Sequence, residues 1–168
     1  MNSRTRKVAP PAAGEGKRGA DGHIAYLLRQ AQGAVRLTLD AALADAGLTA
    51  PQFLVLNLLD AYPGASGADL ARMALLTPQT MNLIVRKLER DKLVERTGHE
   101  THGRVLRIEP TAHGTAVLRR CKLAADGVER RLLAMLDAPT QRKVRLWLAR
   151  VAVELGRAQA RSQGIHVV

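Results

Sequence analysis

Residues 66–91 read SGADLARMALLTPQTMNLIVRKLERD. Two helix starts lie in this stretch. Ser66 can cap a short helix that runs to Met73, with Leu70 and Met73 turned inward. Leu75-Leu76 then forms the turn. Thr77 followed by Pro78 reads as an N-cap with proline at the first helical position, where its missing N–H has no intrahelical partner to lose. The second helix extends to about Asp91. Two helices joined by so tight a turn fit a helix-turn-helix.

The second helix has the wheel of a reader. At about 100° per residue, Met81, Ile84, Val85 and Leu88 fall on one apolar stripe. The opposite face carries Gln79, Asn82, Leu83, Arg86 and Arg90. Gln and Asn can pair with adenine, Arg with guanine, and Leu can meet a thymine methyl group in the major groove. Lys87 and Arg90 better suit phosphates. A solvated charged face on an ordinary helix shows the same pattern. The order of the flanking elements favours the reader. With the two helix starts included, the candidate DNA-contacting set is Ser66, Thr77, Pro78, Gln79, Thr80, Asn82, Leu83, Arg86, Lys87 and Arg90.

Downstream, Leu93–Thr97 and Arg104–Ile108 read as short strands around a polar loop with Gly98 and Gly103 at its ends. A hairpin there makes the motif a winged one. Upstream, Thr49 and Gln52 form a Thr-x-x-Gln capping box, with Leu48 and Phe53 placed as a hydrophobic staple. That helix runs through Leu59 and stops near Tyr62-Pro63-Gly64. Before it, apolar residues from His23 to Ala46 recur at three- and four-residue steps, and Gly47 closes the pattern. After the hairpin, Thr111 starts a long helix to about Leu136. Asp137-Ala138-Pro139 breaks it, and a last helix carries Val144, Leu146, Leu148, Val151 and Leu155. Residues 1–22 are rich in Pro, Gly and basic side chains and read as a disordered arm, either an inert tail or a phosphate contact.

The chain has 26 Lys and Arg against 15 Asp and Glu, a net charge of +11, so a polyanionic partner is expected. The excess does not sit on the reader. Residues 48–110 have eight basic and seven acidic residues, residues 1–47 seven and four, and residues 111–168 eleven and four. The basic C-terminal helices could flank a duplex, line an anionic-ligand pocket or simply be solvated. One cysteine, Cys121, excludes an internal disulfide; a core thiol is favoured over a redox sensor beside Arg119, Arg120 and Lys122. No apolar run is long enough for a membrane span or a signal peptide, so the chain is expected in the cytoplasm.

Residues 48–114 resemble the MarR family of bacterial regulators. The stretches that carry the resemblance are Leu48-Thr49-Ala50-Pro51-Gln52-Phe53, Asp69-Leu70-Ala71, Leu83-Ile84-Val85-Arg86-Lys87-Leu88-Glu89, Leu93-Val94-Glu95-Arg96 and Thr111-Ala112-His113-Gly114. Their order and spacing match without a gap, and with the flanking helices the likeness extends over about residues 23–156. It implies a mainly α fold with a small two-stranded β-wing. The winged helix-turn-helix domain would cover residues 48–110, with dimerisation helices at 23–47 and 111–160 and a frayed tail at 161–168. It further implies a homodimeric transcriptional regulator, expected to be a repressor, on a pseudo-palindromic operator in double-stranded DNA. Arg104 takes the place of the family's wing-tip arginine, which enters the minor groove. The stretch His99-Glu100-Thr101-His102-Gly103-Arg104 lacks the family's bracing acidic residue and one arginine, and Pro110 stands for the usual leucine. A looser wing follows, with Arg104 and Arg107 as its basic anchors. His99 and His102 read as solvated loop residues.

Many members of the family bind a small aromatic acid between the dimer helices and the DNA-binding lobe. His23, Tyr26, Arg29 and Gln52 are the groups expected near that crevice, for a small aromatic or anionic effector. Trp147 is expected in a dimer core. No enzyme motif appears: there is no phosphate loop, nucleophile elbow or paired metal motif, so neither catalysis nor a cofactor is expected. The alternative is a basic helical protein that binds RNA or an anionic membrane surface; RNA would want more exposed aromatics than this chain has.

Overall fold

The computed structural model describes residues 10–98 and 106–162. The chain divides after Thr38 into two units. In the first, Gly16–Arg18 forms a 3-10 turn inside the stretch expected to be an arm, with Arg18 donating to the Pro11 carbonyl at 2.7 Å. The helix α1, Ile24–Leu43, begins in this unit and ends in the second.

The second unit holds the core. A 3-10 turn, Ala44–Ala46, closes on Gly47, whose φ of 70° is the left-handed conformation that glycine adopts without strain. α2, Ala50–Ala61, follows at once. Gln52 Oε1 accepts from the Thr49 backbone N–H at 3.0 Å and from its hydroxyl at 2.9 Å, and Asp40 Oδ1 accepts from the Ala50 N–H at 2.6 Å. Three N-terminal donors of the segment are thus occupied before any packing. Val55, Leu56 and Leu59 are buried.

α3, Gly67–Met73, and α4, Pro78–Arg90, form the helix pair. Ser66 and Asp69 make a reciprocal capping box: the Ser66 N–H and hydroxyl donate to Asp69 Oδ2, and the Asp69 N–H donates back to Ser66 Oγ at 3.2 Å. These bonds hold the Asp69 carboxyl below the ordinary aspartate range, with Ser66 the largest cause and Arg72 a smaller one. Thr77 Oγ1 caps α4 by accepting from the Thr80 N–H. Leu70 is buried as expected, but Met73 is 37% exposed. Ala71, not Met73, takes the second inward position; Met73, the last residue of α3, lines a surface depression with Tyr62, Pro63 and Gly64. Both helices end in Schellman motifs. Leu76 N–H reaches Ala71 O and Leu93 N–H reaches Leu88 O, with Leu75 and Lys92 in the left-handed conformation at φ 52° and 56°. Neither is glycine, so each end holds backbone strain of about 1–2 kcal/mol.

β1 is Val94–Gly98, one residue further along than expected, and β2 is Leu106–Pro110, two residues past the expected end at Ile108; its expected start at Arg104 lies outside the described residues. They pair antiparallel, Val94 opposite Pro110 and Arg96 opposite Ile108. Pro110 sits at the end of the strand, where its missing donor interrupts no inner rung. Ile108 N–H also donates to Ala65 O, and Ser66 bridges Arg107, so the segment before α3 edges the sheet. Most of the expected loop, with His99, His102 and Arg104, lies outside the described residues.

α5, Ala112–Leu133, is capped by Thr111 and ends three residues earlier than the expected Leu136. Gln141 donates to the Leu133 and Leu136 carbonyls at 3.0 Å, and Asp137 Oδ1 caps α6, Ala138–Ser162, through the Thr140 N–H. Cys121 is buried among the core side chains, and burial pushes its thiol up. That favours a core thiol over a redox-active one.

Two predictions follow from these joints. A Cβ on Gly114 would lie 1.9 Å from the Leu93 carbonyl oxygen, a backbone atom that cannot rotate away. Alanine improves helix propensity by about 1 kcal/mol, but the clash outweighs it, and Gly114→Ala should destabilise by about 1–3 kcal/mol in urea unfolding. A raised midpoint would contradict the close approach. Asp69 contributes stability above its unfolded pKa of about 4, and that contribution is lost as pH falls through its lower folded value. The stability gap between the wild type and Asp69→Asn should therefore be widest near neutral pH and shrink in acid below about pH 4. A gap independent of pH would remove the capping carboxylate from the account.

Candidate nucleic-acid interface

The residues nominated on α4 form one outward face. Met81, Val85 and Leu88 are buried and Ile84 half-buried, which leaves Gln79, Thr80, Asn82, Leu83, Arg86 and Lys87 exposed. Leu83 is 68% exposed, a large apolar side chain with no packing role inside the chain. Among the described residues neither Arg86 nor Lys87 has an ion-pair partner. Arg90 pairs with its neighbour Asp91 at 3.1 Å and remains largely exposed. The face thus presents an amide, a hydroxyl, a second amide and two free cations along about three helical turns. It can donate to and accept from base edges and can neutralise phosphates.

The helix starts have a different character. Ser66 spends its hydroxyl on Asp69, and the Thr77 hydroxyl lies 2.9 Å from that of Thr80. The Ser66 N–H is spent on Asp69 as well, whereas Thr77 opens α4, whose N-terminus suits a phosphate. Pro78 helps line a depression of about 110 Å³ between α3, α4 and the wing, together with Gly67, Ala68, Met81, Asn82 and Arg96. Arg107 runs beside Gly64, where a Cβ would come within 3.6 Å of its Nε. Arg104 lies outside the described residues.

Arg96 was absent from the nominated residues. Its Nε donates to Glu89 Oε1 at 2.8 Å, and its Nη2 donates to Asn82 Oδ1 at 3.2 Å. One wing residue therefore ties down two positions of the reading helix, seven residues apart on one edge. Strand alternation does place Arg96 on the same side as the buried Val94, the side that faces α4.

The proposed effector residues do not form one described group. His23, Tyr26 and Arg29 are exposed in the first unit, where the Tyr26 hydroxyl accepts from Gln30. Gln52 belongs to the second and is 2% exposed. Its oxygen serves the α2 cap, while its Nε2 finds no acceptor. Among the described residues there is no cluster of three metal-ligating side chains, and no single helix is long and apolar enough to cross a membrane.

The MarR family model matches residues 46–105, from the end of the first 3-10 turn of the core unit into the wing. The chain is 39% identical over 131 residues to the HTH-type transcriptional repressor Rv2887 of Mycobacterium tuberculosis, spanning 78% of this chain and 94% of that one. The crystal structure of that protein in complex with salicylic acid superposes with a TM-score of 0.62 at 39% identity, covering 79% of this chain and 98% of the other. Its complex with DNA gives 0.62 at 37% identity, covering 78% and 98%. The PcaV transcriptional regulator of Streptomyces coelicolor, in complex with its natural ligand, gives 0.71 at 28% identity, covering 77% and 92%. Capped helix pair, outward polar face, antiparallel wing and the extent of these likenesses agree: the chain belongs to the MarR family of winged helix-turn-helix transcriptional regulators and is a sequence-specific DNA-binding protein, not an enzyme.

Proposed function

We propose that the chain is a transcriptional repressor that binds a pseudo-palindromic operator as a homodimer and releases it when a small aromatic or anionic effector binds. The observation that carries the reading is the exposed face of α4, where Gln79, Asn82, Leu83, Arg86 and Lys87 project together with no ion-pair partner for either cation among the described residues. A helix of this chemistry matches the major groove, and Thr77 and Thr80 at its N-terminus are suited to the flanking phosphates. Arg104 and Arg107 are assigned to the wing contact. The DNA-bound relative supports the assignment.

A second copy is the natural partner of the C-terminal helices. Along α6, Leu146, Trp147, Leu148, Val153 and Leu155 are all exposed, Leu146 by 60%. Leu123 on α5 and Met135 just after it are exposed too. So much unburied apolar side chain on two long helices favours association, at about 25 cal/mol per Å² removed from water. The effector reading is supported by the relatives bound to salicylic acid and to a natural ligand, and by the unpartnered, buried Gln52 Nε2. A ligand that favours one spacing of the two reading helices would shift the population able to span the operator.

Arg86→Ala should lower operator affinity by about 1–3 kcal/mol and relax the preference at one base position per half-site. An equal loss on unrelated DNA would assign Arg86 to phosphate instead. Light scattering at micromolar concentration should return twice the chain mass of 18.2 kDa. A monomer under those conditions would defeat the two-fold operator.

A further inference from the structure

We propose that Arg96 fixes the hydrogen-bonding sense of Asn82 and thereby makes the base facing Asn82 guanine rather than adenine. The inference rests on the proposed placement of α4 in the major groove. A guanidinium can only donate, so the Asn82 atom at 3.2 Å from Arg96 Nη2 must be the amide oxygen. The same guanidinium is held by Glu89 through Nε at 2.8 Å. Both ends of this bridge are shielded, with the Arg96 and Glu89 side chains about 30% exposed, at 32% and 29%. The clamp spans two turns of α4 and is anchored in β1, opposite the buried Ile108. Its geometry belongs to the helix–wing joint and not to a freely rotating surface side chain.

The consequence is chemical. An asparagine reads adenine by donating to N7 and accepting from the N6 amino group, which requires its oxygen. Here one of the oxygen's two lone pairs is taken by Arg96 and the oxygen is held on the wing side, which leaves the NH₂ group as the end free to turn to a base. Guanine offers two acceptors on its major-groove edge, N7 and O6. A group that can only donate fits that edge and meets a second donor on adenine. The positioning residue is Arg96; the contact is made by Asn82.

The test uses the full chain and selection from a random duplex library, with base preferences read by sequencing. Asn82→Ala should flatten one position in each half-site. At that position the wild type should prefer guanine over adenine by about fivefold or more, the lower end of what a bidentate contact discriminates. Arg96→Ala frees the amide, so the guanine-to-adenine ratio there should fall by about fivefold while the other positions keep theirs. Adenine preferred by the wild type would overturn the inference. So would an unchanged ratio in an Arg96→Ala protein whose circular dichroism and melting match the wild type. If Arg96→Ala does not fold, Asn82→Asp decides. It is isosteric, keeps the arginine pair and presents an acceptor, so the preference should move from guanine to cytosine; retained guanine overturns the proposal. If Asn82→Ala flattens no position while Arg86→Ala does, the inference fails and the reading of α4 stands. If the wild type selects no motif at all, both fail.

Discussion

The backbone of Leu93 is the joint on which the DNA-binding unit depends. Its N–H closes α4 by donating to the Leu88 carbonyl, and its carbonyl accepts from the Thr111 N–H at the start of α5. The Thr111 hydroxyl adds a bond to the Lys92 carbonyl at 2.7 Å, and Gly114 lies against Leu93 with no room for a side chain. Reading helix, wing and C-terminal helix therefore meet at one residue. All are rigid elements, so a tilt of α5 is passed to the end of α4 with little slack. A regulator whose ligand acts away from its DNA contacts needs such a joint, because a population shift requires that both sites bias the same element.

Charge and recognition are divided along the chain. The segment that forms the reader is almost neutral, with eight basic residues against seven acidic ones, while the segment after it carries eleven against four. The acidic residues of the reader are largely occupied inside the protein: Asp69 in the α3 cap, Glu89 with Arg96, Asp91 with Arg90. Arg86 and Lys87 are left without a competing internal partner. Local pairing, and not net charge, sets what the α4 face offers to a duplex. The distant excess acts through the long-range field, which salt screens within about 8–10 Å.

The local parts of this architecture are legible in the sequence. Thr49–Gln52, Ser66 and Thr77-Pro78 mark helix starts because capping is a matter of three or four consecutive residues. The stripe of Met81, Val85 and Leu88 follows from helical period alone. Errors arise where a third element decides. Met73 lies on the inward side of a helical wheel yet is exposed, because at the last residue of α3 it borders a surface depression shared with Tyr62 and Pro63. The strand β1 begins one residue later than expected, because the Schellman end of α4 consumes Lys92 and Leu93. The Arg96–Asn82 bond joins a strand to a helix fourteen residues away, and no local spacing rule reports it. Gln52 is the instructive mixed case. Its capping role is written in the Thr-x-x-Gln pattern, but its burial, and the unsatisfied nitrogen that comes with it, emerges only from packing.

The single cysteine gives the protein a built-in reporter of breathing. Cys121 lies 1% exposed on α5, in the cluster that includes Val117 and Leu118, and its burial suppresses the reactive thiolate. A thiol reagent reaches it only in those molecules where α5 has lifted from the core. Labelling speed therefore measures the free energy of local opening at that helix, without any introduced probe. Because α5 also bears on Leu93, the same clock registers how firmly the reader is held to its scaffold.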